Sequence, residues 1–223
     1  MTQDEVRYDF ARRQRIGLSE AVLCEGKSTA QIEHIVSLAA GRGEPLLLTR
    51  LAADAFGALP DAQRDQLDYD EVSRTAILGT VAAPPSPASV AVVSAGTSDA
   101  PVVREAARTL AFHGQAADII MDIGVAGLWR LLERQEQLNR YRALIVVAGM
   151  DGALFSVLGG LVGGVIIAVP TATGYGAAGQ GVAALHSALA SCAPGVVVVN
   201  VGNGYGAACA ALRVLRDIRE VEP

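Results

Sequence analysis

ALIVVAGMDGALFSVLGGLVGGVIIAVP, Ala143–Pro170, is either a membrane span or the centre of a buried sheet. It is the most apolar window of a chain whose mean hydropathy is +0.35, and Asp151 is its only charge. A membrane-spanning helix needs about 20 uninterrupted apolar residues. Here Asp151 stands near the start, and Gly149, Gly152, Gly159, Gly160, Gly163 and Gly164 break the run. The window divides instead into ALIVVAG, DGALFSVLGGLVG and GVIIAVP. The outer pieces are β-rich runs of strand length, and the middle piece is a short helix. Strand, helix, strand without polar alternation is the pattern of parallel strands buried on both faces.

The same alternation extends in both directions. Strands are expected at Val90–Ser94, Asp118–Asp122, Leu144–Ala148, Val165–Val169 and Val196–Asn200. Helices are expected at Pro101–His113, Ala126–Leu138, Ala153–Leu161, Gly179–Ser191 and Gly206–Arg216. Five βα units in a row imply a doubly wound parallel sheet with right-handed crossovers. The expected class is thus α/β, with this sheet over residues 86–223. Val81–Ser89, VAAPPSPAS, reads as a linker. Residues 1–85 form a small α/β extension. Asp9–Gly26 is Arg-rich and reads as a helix running into a turn, and Ala30–Ala40 as a second helix. Pro45–Arg50 and Ser73–Gly79 read as strands, separated by a helical Leu51–Leu59.

Composition narrows the class of function. Of 223 residues, 51% are hydrophobic but only 4% aromatic, so the core is built from Ala, Val, Leu and Ile. A net charge of −5 argues against a nucleic-acid platform. Three cysteines do not make a disulfide framework, and a reducing cytoplasm is the expected location. The opening MTQDEVRYDFARRQR has no apolar stretch after its charges, so no signal peptide is expected. No membrane partner is expected either.

In parallel sheets, ligands bind beyond the carboxyl ends of the strands. The loops there read SAGTSDAP, DIGVAG, GMDGA, PTATGYGAAGQG and VGNGYGAA, all glycine-bearing and none basic. Gly26-Lys27-Ser28 lacks the glycine a phosphate loop needs five residues earlier, where Ala21 stands. A helix start capped by Ser28 or Thr29 is the expected reading. Gly202-Asn203-Gly204-Tyr205-Gly206 follows a strand and opens a helix, but no acidic residue follows at dinucleotide spacing. His34, His113 and His186 fall on helices without metal-ligand spacing. Cys209 lies in a small-residue helix and reads as a buried thiol. Cys192, in Ser191-Cys192-Ala193-Pro194-Gly195, sits in a turn between helix and strand, where spacing alone leaves its role open.

SAGTSD, DIGVAGL, VAGMDGALFSVLGGL, AVPTATGYGA and SCAPGVVVVNVGNGYGAA follow one another in that order. The C-terminal part resembles the AIR carboxylases of purine synthesis. The chain is more closely similar to the LarB family of nickel-pincer cofactor biosynthesis, whose members carry the same domain behind an N-terminal extension. That family's extension has Arg-rich and Gly-Lys-Ser/Thr segments like those of Asp9–Gln31. The resemblance implies a flavodoxin-like three-layer domain and an activity. The substrate would be nicotinic acid adenine dinucleotide, carboxylated on its pyridinium ring by CO2 or bicarbonate and cleaved by water to release AMP. The product is pyridinium-3,5-biscarboxylic acid mononucleotide.

The family nucleophile falls on Cys192, and family position makes Asp151 the base. Substrate binding falls on Ser94, Gly96, Thr97, Ser98 and Asp99, then on Gly149, Met150, Gly152 and Ala153. Gly174, Tyr175, Gly176, Asn203 and Gly204 complete the expected set. Mg²⁺ is expected at the phosphates with its ligands unassigned, and no organic cofactor is expected. Four positions depart from the family pattern. Trp129 stands where His is common, Phe155 where Pro is common, Gly202 where Asp is common and Tyr205 where Phe is common. Cys192 precedes its strand whereas the glycine loops follow theirs. AIR carboxylases are octamers with sites at subunit contacts, so a homo-octamer is expected, with a neighbour completing each site. An AIR carboxylase or mutase, and a non-catalytic nucleotide-binding regulator, remain the alternatives.

Overall fold

The computed structural model describes residues 6–79 and 87–216. The expected boundary at residue 85, and most of the Val81–Ser89 linker, lie outside them. The chain divides into two compact units, Met1–Ala83 with Phe112–Gly114 and the remainder.

The first unit runs α1 (Arg12–Ile16), β1 (Ala21–Leu23), α2 (Thr29–Arg42), β2 (Leu46–Thr49), α3 (Ala53–Gly57), α4 (Asp61–Arg64), β3 (Leu67–Asp70) and β4 (Thr75–Leu78). Its sheet has the order β1-β2-β4-β3, with β1 parallel to β2 and the other pairs antiparallel. Helix α2 buries Ile32, Ile35, Val36 and Ala39, one face at helical spacing. Ser28 caps it, and Gln31 returns the bond to the Ser28 amide, a capping box that accounts for the GKS turn. The Asp9–Gly26 segment is not one helix. Gly17 takes a left-handed φ of 75° and ends α1, and Val22 is then buried as a strand residue. The β3 strand was not legible, because LDYD buries only its leucine fully.

The second unit runs β5 (Val90–Ser94), α5 (Ala100–Phe112), β6 (Ala117–Ile120), α6 (Leu128–Leu132), α7 (Gln135–Leu138), β7 (Ala143–Ala148), α8 (Ala153–Leu161), β8 (Val165–Pro170), α9 (Val182–Leu189), β9 (Val196–Val198) and α10 (Gly204–Leu215). The Ala143–Pro170 window is thus strand, helix, strand. Among the described residues no helix is long and apolar enough to cross a membrane. The sheet is fully parallel, in the order β6-β5-β7-β8-β9, a flavodoxin-like winding. Ala91, Val93, Leu144, Val146 and Ala168 pack one face against α6 to α9. Val90, Val92, Ile145, Val147 and Val169 pack the other against α5 and α10. Two covered faces explain why every central strand is apolar at consecutive positions.

Among the elements whose bounds differ from expectation, three have a local cause. Ala126–Leu138 is two short helices, because Glu133 to Gln137 offer no apolar side chain to hold the segment on the sheet. Helix α9 starts at Val182 rather than Gly179, since Gly179, Gln180 and Gly181 leave helical geometry. Strand β6 stops before Asp122, whose φ of 62° takes the chain out of the ladder.

Candidate active site

β5 and β7 are neighbours in the sheet, yet α5 and α8 leave them for opposite faces. Loops that diverge in this way open a crevice at the carboxyl ends. A cleft of about 250 Å³ lies there, walled by the loops after β5, β6, β7 and β8.

The β5 loop contributes Gly96, Ser98 and Asp99 to the lining. Asp99 is 3% exposed. The Thr171 hydroxyl donates to its Oδ1 at 2.8 Å, and the Gly96 amide to its Oδ2 at 3.4 Å. One donor on each oxygen fixes this carboxylate in place and leaves it capacity to accept from a ligand. Ser94 is buried, its hydroxyl donating to the Gly96 carbonyl at 2.9 Å, and Thr97 is exposed outside the lining.

The β7 loop contributes Gly149, Met150, Asp151, Gly152 and Ala153. A Cβ on Gly149 would lie 2.1 Å from the Thr173 carbonyl oxygen, so only glycine lets this loop close against the β8 loop. The Met150 amide donates to that same carbonyl at 2.8 Å, and Met150 adopts a φ of 53°. A non-glycine residue held there costs of order 1–3 kcal/mol, and such strain clusters at functional sites. Asp151 is exposed, and its Oδ1 accepts the Ala153 amide at 3.3 Å.

Several expected residues fall elsewhere. Gly174, Tyr175 and Gly176 are outside the lining, with Tyr175 80% exposed. Asn203 accepts the Gly206 amide at 2.7 Å and so caps α10. Gly204 is buried where α10 meets α5, and a Cβ there would lie 2.6 Å from the Val102 carbonyl oxygen. Cys192 is exposed in the turn that enters β9, toward the amino edge of the sheet, and does not line the cleft of its own chain. Cys24 is buried, and burial pushes its thiol up to about 12.

Arg130 was not anticipated. It lines the cleft, and Nη1 pairs with Asp122 from the end of β6. Its buried Nε has no hydrogen-bond partner. A guanidinium set among carboxylates is suited to orient a planar or phosphate anion. Its signal was its place after DIGVAGLW, one turn into a helix that follows a glycine loop. Trp129 is 63% exposed and outside the lining, so no acid–base group replaces the histidine common at that position. Among the described residues no three Asp, Glu, His or Cys side chains gather to hold a metal ion. The cleft lining holds two carboxylates, Asp99 and Asp151, too few for a protein-built Mg²⁺ site.

Residues 89–220, more than half of the chain, match the AIR carboxylase family. The chain belongs to the AIR carboxylase family. Residues 2–80 match the LarB/PurE-like N-terminal domain, which places this member with the LarB/PurE-like group. An uncharacterized protein of Methanocaldococcus jannaschii is 43% identical over 120 residues, 53% of this chain and 46% of that protein. The match therefore spans about half of that relative's length. A variant of Treponema denticola PurE2 aligns with a TM-score of 0.45 at 24% identity, over 56% of this chain and 77% of its own. Treponema denticola PurE aligns with a TM-score of 0.45 at 23% identity, over 56% of this chain and 78% of its own.

Proposed function

We propose that this AIR carboxylase family member is a carboxylase-hydrolase of nicotinic acid adenine dinucleotide. The observation that carries the reading is the make-up of the cleft. It holds carboxylates and a guanidinium but no histidine among its lining residues, in a chain with an exposed cysteine. The purine reaction relies on a histidine near the end of the second strand. Trp129 stands there instead, outside the lining. The match to the LarB/PurE-like N-terminal domain supports the same reading.

A pyridinium ring is electron-poor and does not attack CO2. Addition of the Cys192 thiolate para to the ring nitrogen forms a C–S bond and converts the ring to a dihydropyridine, an enamine. The enamine's meta carbon then forms a C–C bond to CO2. Asp151 takes the proton from that carbon, the C–S bond breaks and the aromatic ring returns. Covalent catalysis divides one inaccessible step into feasible ones. Water separately cleaves the phosphoanhydride, so dinucleotide, CO2 and water become the biscarboxylate mononucleotide and AMP. Asp99 orients the nucleotide as a fixed acceptor. Mg²⁺ enters this reading only as an ion brought by the phosphates, and no step is assigned to it.

Cys192 lies outside the cleft of its own chain, so in this reading it serves the cleft of a neighbouring copy within a homo-octamer. Light scattering should give a mass near eight chains, and a monomer at micromolar concentration refutes the assembly. Co-expressed Cys192→Ala and Asp151→Asn chains should regain activity that neither has alone. The deciding experiment is incubation with nicotinic acid adenine dinucleotide, bicarbonate and Mg²⁺. Release of AMP with gain of a ring carboxylate supports the reading. Turnover of aminoimidazole ribonucleotide without AMP release assigns the purine reaction instead. Binding without turnover of either assigns a regulator.

A further inference from the structure

The α8 segment, ALFSVLGGL, contains a single hydroxyl, Ser156. Serine in a helix interior is neutral to unfavourable, because its side chain competes with the backbone for hydrogen bonds. Here it has a tertiary partner. Ser156 Oγ lies 2.8 Å from the Oγ of Ser191, the residue before Cys192. Ser191 Oγ also accepts the amide of Ala193, the residue after Cys192, at 3.2 Å. One hydroxyl therefore ties together the two neighbours of Cys192, and that hydroxyl is tied to α8.

A second contact comes one helical turn further on. A Cβ on Gly159 would lie 2.7 Å from the Ala193 Cβ, so helix and turn approach as closely as glycine permits. Ala193 is thus held on both sides, by Ser191 through its amide and by Gly159 through its methyl. Without these ties the Cys192 segment would be an exposed turn running into Gly195, whose φ is 82°. Covalent attack needs the reacting atoms about 3–3.5 Å apart and aligned, and a misplacement of about 1 Å can cost 10²-fold in rate. α8 is the natural mount for such a turn. It is a packed element with Leu154, Phe155 and Leu158 buried, and it begins at the Asp151 loop.

We infer that Ser156 is a positioning residue that holds the Cys192 turn through Ser191. The inference rests on the covalent reading of Cys192 given above. Its chemical content is narrow: Ser156 touches neither ring nor CO2, and acts by restricting where the sulfur can be.

The test uses the full-length protein and steady-state turnover of nicotinic acid adenine dinucleotide. Ser156→Ala should lower kcat about tenfold and leave KM within about twofold, the split for a group felt only in the reacting geometry. Ser156→Thr keeps the hydroxyl and should recover most of kcat. Ser156→Ala combined with Ser191→Ala should be no slower than the slower single variant, because both remove the same tie. Alkylation of Cys192 by iodoacetamide, located by peptide mass, should proceed at least as fast in Ser156→Ala as in the unmodified protein. Lost turnover with an intact, reactive thiol separates misplacement from misfolding. If Ser156→Ala does not fold, Ser191→Ala carries the same prediction from the turn side. Unchanged kcat in Ser156→Ala beside an inactive Cys192→Ala overturns the positioning role alone. No recovery in Ser156→Thr also counts against it. A fully active Cys192→Ala overturns the covalent reading, and the positioning role falls with it.

Discussion

The β5 and β7 loops each bring an aspartate to the same cleft, under opposite conditions. Asp99 is 3% exposed, with Thr171 and Gly96 donating to its two oxygens. Asp151 is exposed and accepts a long bond from the Ala153 amide at 3.3 Å. The residue type is the same, and the surroundings suit each to a different task. A carboxylate fixed by one donor on each oxygen keeps lone pairs with which to hold a ligand in one orientation. A carboxylate in contact with solvent can exchange a proton with a reacting carbon. In the proposed reaction the two loops divide binding from proton transfer within one cleft.

This division of roles fails most completely if the ring reaction does not pass through a cysteine adduct. Cys192→Ala tests this with the largest expected effect, loss of carboxylated product to background, measured by chromatography of the mononucleotide. Full product formation by this variant would remove the cysteine adduct from the reaction, and with it the proton transfer assigned to Asp151. Asp151→Asn keeps the shape of the side chain and removes the base. Turnover should fall about 10²–10⁴-fold with KM little changed. Wild-type turnover would reduce Asp151 to a helix cap, worth about 1 kcal/mol of stability.

Smaller effects sharpen the contrast. Asp99→Asn should act mainly on binding, raising KM for the dinucleotide about tenfold. It should also lower the thermal midpoint, since a hydrogen bond to a charged group is worth about 1.5–3 kcal/mol. A kcat defect without a KM change would exchange the roles of the two loops. The smallest effects are expected at the other two cysteines. Cys209→Ala should leave turnover within about twofold, as a packing change remote from the reacting atoms. Cys24 should resist alkylation at pH 8 in the folded protein. Its folded value, pushed to about 12 by burial, lies above the ordinary value of 9.0. The stability it contributes is therefore fully present below about pH 9 and is lost as the pH rises toward 12. Cys24 alkylated as fast as Cys192 under native conditions would show that the thiols do not differ as described.

The parts of this protein that were legible in sequence share a local cause. Val90–Ser94 and Ala153–Leu161 read correctly to the residue, because continuous apolar runs bounded by glycine or turn residues carry their own period. That the Asp99 and Asp151 loops gather at one sheet edge was legible because both follow strands of a parallel sheet. The break between α6 and α7 was missed because helical propensity alone does not show that Glu133 to Gln137 have nothing to pack against. Arg130 was missed because its importance depends on Asp122, which closes on it across a glycine loop. Asn203 and Gly204 lie in a glycine-rich string whose sequence does not show that one caps a helix and the other lets two helices touch.

The sequence by itself determined the α/β class, the parallel sheet with both faces covered, and the gathering of glycine loops at one sheet edge. Hydrophobic period, turn chemistry and crossover handedness are local or chiral rules that act before the chain meets itself. The folded chain alone settles which loops share a cleft, since the strand order sets β5 beside β7. It alone paired Asp99 with Thr171, 72 residues away, and Ser156 with Ser191, 35 residues away. Such hydrogen bonds join groups whose surrounding sequence bears no mark of the partner, because a serine or aspartate looks the same whether water or a distant side chain satisfies it.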